Sequence, residues 1–200
     1  MSNSPKKEGI GSMIKLGLTL AIYAAVSCTV LALVNNVTAP VIEKNQANKA
    51  SGAMKAVFAD ADGFEAVTDF TSSYDSITIE SVYLAKKGGK TIGGAAQVSG
   101  PTYDQGTIIV GLGKDGIVTG MQVLKNTDSP GFGQKAGDPN FKLASGQTFY
   151  GQFTGKAAKN GFTVGETVDA ISGATISSMG FSALVQAGTD TLTAVLAGEE

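Results

Sequence analysis

Apolar and polar positions divide the chain into three regimes. No charged residue stands between Lys15 and Glu43, and roughly 20 apolar residues suffice to cross the hydrocarbon core of a bilayer, so residues 16–37 predict a transmembrane helix. From Thr38 onward polar and apolar positions mix. Pro40 lies where a helix start tolerates a missing N–H, and Val41, Ile42, Met54, Val57 and Phe58 mark an amphipathic connecting helix over 38–60 that can continue the membrane helix. Residues 60–76, rich in Asp, Ser and Thr, read as a loop with some strand character. The stretches 77–85 and 91–99 then have strand composition around a Lys87-Gly-Gly89 turn. Likewise 106–112 and 116–124 flank Lys114-Asp-Gly116, a strong hairpin signal. Two hairpins in succession predict an antiparallel sheet and disfavour a parallel dinucleotide-binding fold. Gly111-Leu-Gly113 opens a hairpin and no helix, so it is no dinucleotide fingerprint. Finally Ile176, Met179, Ala183, Leu184, Ala187, Leu192, Val195 and Leu196 recur near the helical period and mark one apolar face of a C-terminal helix. The expected class is α+β: one N-terminal transmembrane helix, then an antiparallel-sheet domain over 61–200 closed by a C-terminal helix.

Charge orients the first segment. Lys6, Lys7 and Lys15 precede it and no basic cluster follows, which places residues 1–15 in the cytoplasm and the domain outside the inner membrane. A cleaved signal peptide would have a shorter apolar run and a small-x-small site. A lipoprotein signal ending at Cys28 would be followed by a polar tether, where this chain continues Thr-Val-Leu-Ala-Leu-Val. A core helix of a soluble domain is usually shorter. A retained anchor in the lipid bilayer fits best, with Cys28 as a small apolar side chain within it.

Composition removes whole classes of chemistry. The chain has 200 residues, a formal net charge of −2, one Cys, no His and no Trp. A nucleic-acid partner is not expected without a basic excess. His or Cys metal sites, iron–sulfur clusters and Ser-His-Asp catalysis are excluded from this chain acting alone. Redox work here would require a borrowed organic cofactor.

The candidate chemistry lies at the start of the last helix, in Asp169-Ala-Ile-Ser-Gly-Ala-Thr175. Thr175 or Ser172 is a suitable N-cap. The unpaired N–H groups and positive dipole end of a helix start favour an anion, a phosphate above all, and Gly173 lets a bulky group approach the backbone. A capping turn without ligand explains the same residues. The motif, however, is similar to the flavinylation motif of the FMN-binding domains in the G subunit of the Rnf complex and in the C subunit of the sodium-pumping NADH:quinone oxidoreductase. The resemblance implies FMN attached covalently to Thr175 through a phosphoester bond, installed by a flavin transferase that takes FAD as donor. It further implies that Ser172, Gly173 and Ala174 line the phosphate, and that Asp169 opens the pattern the transferase reads.

Other stretches resemble the same family in the same order. Asn126-Thr-Asp-Ser-Pro-Gly-Phe-Gly133 matches a loop beside the flavin, with Asn126 at the family's His, Asp128 at its Glu, Ser129 at its Thr and Phe132 at its Leu. Ser129, Pro130, Gly131, Phe132 and Gly133 then become cofactor-binding candidates; read plainly, Ser129-Pro-Gly131 is a turn. Tyr103, ahead of the third strand with Gly106, is either a stacking partner for the flavin or a packed aromatic; Thr102 replaces the family's usual Gly. Phe149-Tyr-Gly-Gln-Phe153 also matches, and Lys156 after it is either a counter-charge for the phosphate or a solvated surface residue. The resemblance implies a one-electron relay, with no catalytic acid or base, inside a complex coupling ferredoxin:NAD electron flow to Na⁺ or H⁺ transport. Its partners would be membrane, iron–sulfur and flavin subunits. Chain length favours the G subunit over the longer C subunit. A flavin reductase outside the Rnf system and an anchored binding module without flavin are the competing readings.

Overall fold

The computed structural model describes residues 10–70 and 74–198. Lys6 and Lys7 of the basic N-terminal stretch, and residues 71–73 of the expected loop, lie outside the described residues. The chain divides into two units, Met1–Ala47 and Asn48–Glu200.

The described residues of the first unit are helical. A single helix, α1, spans Ile10–Val57, so the membrane and connecting helices expected from the sequence are one element, and Pro40 lies in its interior instead of near the start of a second. Within α1 the stretch Gly11–Ile42 is long and apolar enough to cross a membrane, and its side chains are not buried by the protein. Three of its hydroxyls bond within the helix: Thr19, Thr29 and Thr38 donate to the carbonyls of Lys15, Ala25 and Val34 at 2.8, 2.8 and 2.9 Å, so these donors need no partner from outside it.

The second unit is built on five strands, β1 (Gly63–Val67), β2 (Thr78–Lys87), β3 (Lys90–Pro101), β4 (Gln105–Gly113) and β5 (Val118–Asn126). They form one antiparallel meander in chain order. Four strands match the expected hairpins. β1 is the addition, carved from the polar 60–76 stretch as a partly exposed edge strand paired to β2 from Gly63↔Lys86 to Val67↔Val82. The Lys114-Asp-Gly turn forms as expected: the Gly113 N–H donates to the Ile117 carbonyl at 2.9 Å, and the Asp115 carboxylate accepts the Ile117 N–H at 3.1 Å.

Period-two alternation gives the sheet two buried faces. Ala85, Ala95 and Ile109 point to one side, where Ala53, Val57 and Phe58 at the end of α1 cover them. Val82, Leu84, Ala96, Val98, Ile108, Val110 and Leu112 point to the other, under the C-terminal helix α2 (Thr175–Ala197) and the long β5–α2 connection. That connection contributes Phe149 and Phe153, whose rings meet edge-on at 5.6 Å, while Phe149 meets Phe181 of α2 at 6.3 Å. All three are fully buried. Farther along α2, the Tyr74 hydroxyl donates to the Asp190 carboxylate at 2.6 Å. Burial, then that bond and the carboxylate's charge, push the Tyr74 pKa to about 12.

The buried face of α2 differs from the apolar face its sequence suggests. Leu184, Ala187, Leu192 and Leu196 are buried as expected, but Ile176 and Met179 are 60% and 57% exposed. Ser177, Ser178 and Ser182 take the inward positions of the first two turns. Phe181 is the largest side chain of α2 in the core, so Phe181→Ala should cost about 3–5 kcal/mol. Urea unfolding of the detergent-solubilised protein measures this, and a loss below about 1 kcal/mol would mean that the aromatic cluster does not hold α2 to the sheet.

Candidate functional site

Helix α2 begins without a side-chain cap. Ala174 occupies the N-cap with φ −136° and ψ 45° and gives no side-chain hydrogen bond, so neither Thr175 nor Ser172 plays the capping role read from the sequence. Thr175 is the first helical residue, with an exposed side chain that makes no hydrogen bond to the described residues. The amides of Thr175, Ile176 and Ser177 have no acceptor among them either; the first bond of the helix is Ser178 N–H to the Ala174 carbonyl at 3.0 Å. The helix start therefore offers three open donors and the positive end of its dipole.

Other residues hold the turn that an N-cap would have fixed. The buried Ser178 hydroxyl accepts the Ile171 N–H and donates to the Ala174 carbonyl, both at 2.9 Å. The Ala174 N–H closes back on the Ile171 carbonyl at 2.9 Å. Upstream, the buried Gln152 side chain pairs with both backbone groups of Asp169, accepting its N–H at 2.8 Å and donating to its carbonyl at 3.1 Å. Gly173 completes the turn in the left-handed region at φ +77°, which a side chain would strain. Ser178 and Gln152 were not legible as site residues; their partners lie in other elements or on an inward face that polarity assigns to solvent.

The Asn126–Gly133 loop stands opposite. Asn126 staples its ends, accepting the Asp128 N–H and donating to the Gly133 carbonyl, each at 3.0 Å. Gly133 must be glycine: a Cβ there would overlap the Ser177 hydroxyl and lie 2.6 Å from an Asp128 carboxylate oxygen. Phe132 is 55% exposed and its ring faces the open side of Gly173. Between the two loops lies a cleft of about 460 Å³, lined by Tyr103, Ser129, Phe132 and Gly133 on one side and by residues 173–177 on the other.

Of the candidate residues, Thr175, Gly173, Ala174, Tyr103, Ser129, Phe132 and Gly133 thus come together around one space. Ser172, Pro130 and Gly131 belong to the same two loops without lining it. Asp169 lies at the far end of its loop, gripped through its backbone. Lys156 is not at the cleft. It follows the turn at Gly155, its ammonium donates to the Thr167 carbonyl, and its own carbonyl receives the Val118 N–H at 2.9 Å. Among the described residues no basic side chain lines the cleft, so an anion there would rely on backbone amides and the helix dipole.

Behind the cleft sits Asp128, 1% exposed. Its Oδ1 accepts the Thr102 hydroxyl at 2.5 Å and the Asp104 N–H at 2.8 Å. The Ser177 hydroxyl and the Tyr103 amide also face the carboxylate, although Oδ2 itself takes no well-formed hydrogen bond. Burial raises its pKa, but these four donors outweigh burial and hold the carboxyl below its ordinary value.

Two family models divide this chain: one for the RnfG N-terminal region matches residues 1–57, and one for the FMN-binding domain matches residues 102–190. The second contains every residue that lines the cleft. A relative from Acetobacterium woodii, the G subunit of a Na(+)-translocating ferredoxin:NAD(+) oxidoreductase complex, is 34% identical over 83% of this chain and 84% of its own. The chain belongs to the RnfG family. Its similarity extends to the G subunit of the ion-translocating oxidoreductase complex of Methanosarcina acetivorans, 31% identical over 82% of this chain and 86% of the relative. The G subunit of the proton-translocating ferredoxin:NAD(+) oxidoreductase complex of Clostridium ljungdahlii is 25% identical over 97% and 99%. As a member of the RnfG family, the protein carries an FMN-binding domain, and these relatives are named as subunits of oxidoreductase complexes.

Two outcomes follow from the site's internal bonds. Ser178→Ala leaves the buried Ile171 N–H without an acceptor and should destabilise by about 1–3 kcal/mol, with hydrogen exchange of the 169–174 backbone rising first; unchanged exchange there would remove Ser178 from its bracing role. For Asp128, a folded pKa below the unfolded one makes its stabilisation fully present above the unfolded value of about 3.9 and lost as pH falls through the folded value. Asp128→Asn should therefore lower the urea midpoint near pH 7, and the gap from wild type should close as pH drops from about 5 towards 3. A gap independent of pH would refute that linkage.

Proposed function

We propose that this protein is the membrane-anchored electron-transfer subunit of an Rnf-type complex, carrying FMN joined by a phosphoester bond to Thr175. The observation that carries the reading is the state of the α2 start. Thr175 presents a hydroxyl that the fold does not use, beside three amides that the fold leaves open, within an Asp169-to-Thr175 motif of the flavinylation type. In attachment by a flavin transferase, the Thr175 oxygen bonds to the FMN phosphorus of FAD, the pyrophosphate bond breaks, and AMP leaves. The resulting phosphodiester bears one negative charge. A helix N-terminus, worth roughly half a positive charge, suits that charge without a basic side chain.

Bound FMN supplies one-electron redox chemistry; the chain supplies its placement. Tyr103, Phe132 and Ile176 are 64%, 55% and 60% exposed around the cleft, and their apolar surfaces would be covered by a planar aromatic ring lying between the two loops. Gly173 and Ala174 would approach the phosphate through backbone, and Ser129, Phe132 and Gly133 would form the opposite wall.

The same reading assigns Gly11–Ile42 as a bilayer anchor, with the lysine-rich N-terminus cytoplasmic and the FMN domain extracytoplasmic. Partner subunits carrying iron–sulfur or flavin centres would deliver and accept the electron as the complex moves Na⁺ or H⁺.

Mass spectrometry of a denatured digest should find the Thr175 peptide heavier by FMN less water. Thr175→Ala should lose covalent flavin completely yet cost less than about 1 kcal/mol of stability, because no capping bond is removed. Covalent flavin persisting in Thr175→Ala, or an unmodified wild-type peptide from cells that contain the transferase, would reject the attachment site.

A further inference from the structure

We propose that Asp128 is a positioning residue for the flavin ring, fixing Tyr103 against the start of α2 and setting the reduction potential through its buried charge. The inference rests on the reading of FMN at Thr175. Three observations lead to it. First, Oδ1 takes both its hydrogen bonds from the residues on either side of Tyr103, Thr102 at 2.5 Å and Asp104 at 2.8 Å. The Tyr103 side chain is exposed to the cleft while its amide faces the same carboxylate, so its backbone is placed by this bracket and its ring is left free. Second, the other oxygen lies against the first turn of α2. The position a Gly133 Cβ would take is 2.6 Å from Oδ2 and overlaps the Ser177 hydroxyl, and Ser177 lines the cleft. One carboxylate thereby ties the two walls together, and the absence of a side chain at residue 133 is what allows them to meet.

Third, the charge has no counter-ion. Among the described residues the ion pairs are Lys86 with Glu65 and Lys87 with Asp60, both remote in the sheet from this loop. Asp128 is neutralised by dipoles alone, with Oδ2 lacking a well-formed donor. A buried anion one residue behind the cofactor wall makes addition of negative charge to the ring less favourable, because a low-dielectric interior screens it poorly. A carboxylate kept for bracing alone could be replaced by its amide, which preserves shape and an acceptor for Thr102 and Asp104. The amide would not preserve the charge.

The experiment compares full-length wild type, Asp128→Asn and Thr102→Val, each produced together with a flavin transferase and purified in detergent. Covalent flavin is first measured by mass; midpoint potential and visible circular dichroism follow. We expect flavin on Thr175 in all three. Asp128→Asn should shift the potential to more positive values. Thr102→Val, which keeps the charge and loses one anchor, should alter the flavin dichroism with a smaller shift in potential. In the unflavinylated Thr175→Ala background, Thr102→Val should speed hydrogen exchange of the 101–106 segment several-fold while β4 and α2 stay protected. Flavin present on Thr175 but with potential and dichroism unchanged in Asp128→Asn would overturn this inference alone and leave Asp128 a structural brace. An unmodified Thr175 in wild type would overturn the flavin reading and this inference with it, so the mass measurement separates the two failures.

Discussion

The arrangement of the whole domain follows from one constraint: the first turn of α2 has to be held in place while its amides stay free. Most helices solve the first problem with the side chain that spoils the second, since an N-cap oxygen fixes the turn by occupying the donors. Here Ala174 sits at the cap and the restraint is moved elsewhere. Ser178 reaches back from the helix interior to Ile171 and Ala174, Gln152 grips Asp169 from the neighbouring turn, and Ile171 is sealed into the core. The long β5–α2 connection, with its three 3₁₀ turns and no regular element longer than five residues, makes sense as a scaffold for these bonds. Local rules broken at one place and compensated around it are a usual mark of a functional position.

The same constraint explains where the sequence was and was not legible. The long apolar helix followed from a gap in charge, and the central strands from hairpin signals carried by Lys87-Gly-Gly89 and Lys114-Asp-Gly116; both are local properties that no distant partner can override. The Asp169 to Thr175 pattern located the cleft because its residues are adjacent in the chain. What failed was inference from polarity. Ile176 and Met179 were read as part of the apolar face and are exposed, while Ser177, Ser178 and Ser182, which that reading left off the face, are buried. Hydrophobic periodicity assumes that each turn optimises burial, and the first turn of α2 lines the cleft instead. β1 showed only as some strand character in a loop for a related reason: an edge strand with a partly exposed face needs little apolar sequence, so its identity comes from pairing with β2. Lys156 shows the converse error, where a charge near the motif in sequence is committed to Thr167 in space.

Replacements in the loop opposite α2 also have a structural meaning. Asn126 stands where the resembling family has His, and it joins the Asp128 amide to the Gly133 carbonyl. An amide side chain offers a donor and an acceptor at once without a titrating proton, so the staple is independent of pH in a way an imidazole would not be. Asp128, one methylene shorter than Glu, sits close to Gly133 and Ser177. The loop thus keeps its Pro130-Gly131 and Gly133 backbone core while the side chains around that core differ from the family's.

The absence of a basic side chain among the described residues of the cleft bears on why a tether would be used at all. Free FMN presents a phosphate with nearly two negative charges, and three amides plus a helix dipole worth on the order of 1 kcal/mol would hold it weakly. Adding lysines would raise affinity, but it would also pull the ring's potential upward by favouring negative charge nearby. Covalent attachment separates the two demands. With the phosphate esterified to Thr175 as proposed, occupancy would no longer depend on contact energy, because the local concentration of the ring would be set by the linkage. The remaining contacts are then free to tune the ring's surroundings instead of retaining it. On the reading proposed above, a neutral phosphate site, an exposed aromatic rim and an unpaired carboxylate behind the wall are mutually consistent choices, and each would be a liability in a protein that had to bind its flavin reversibly.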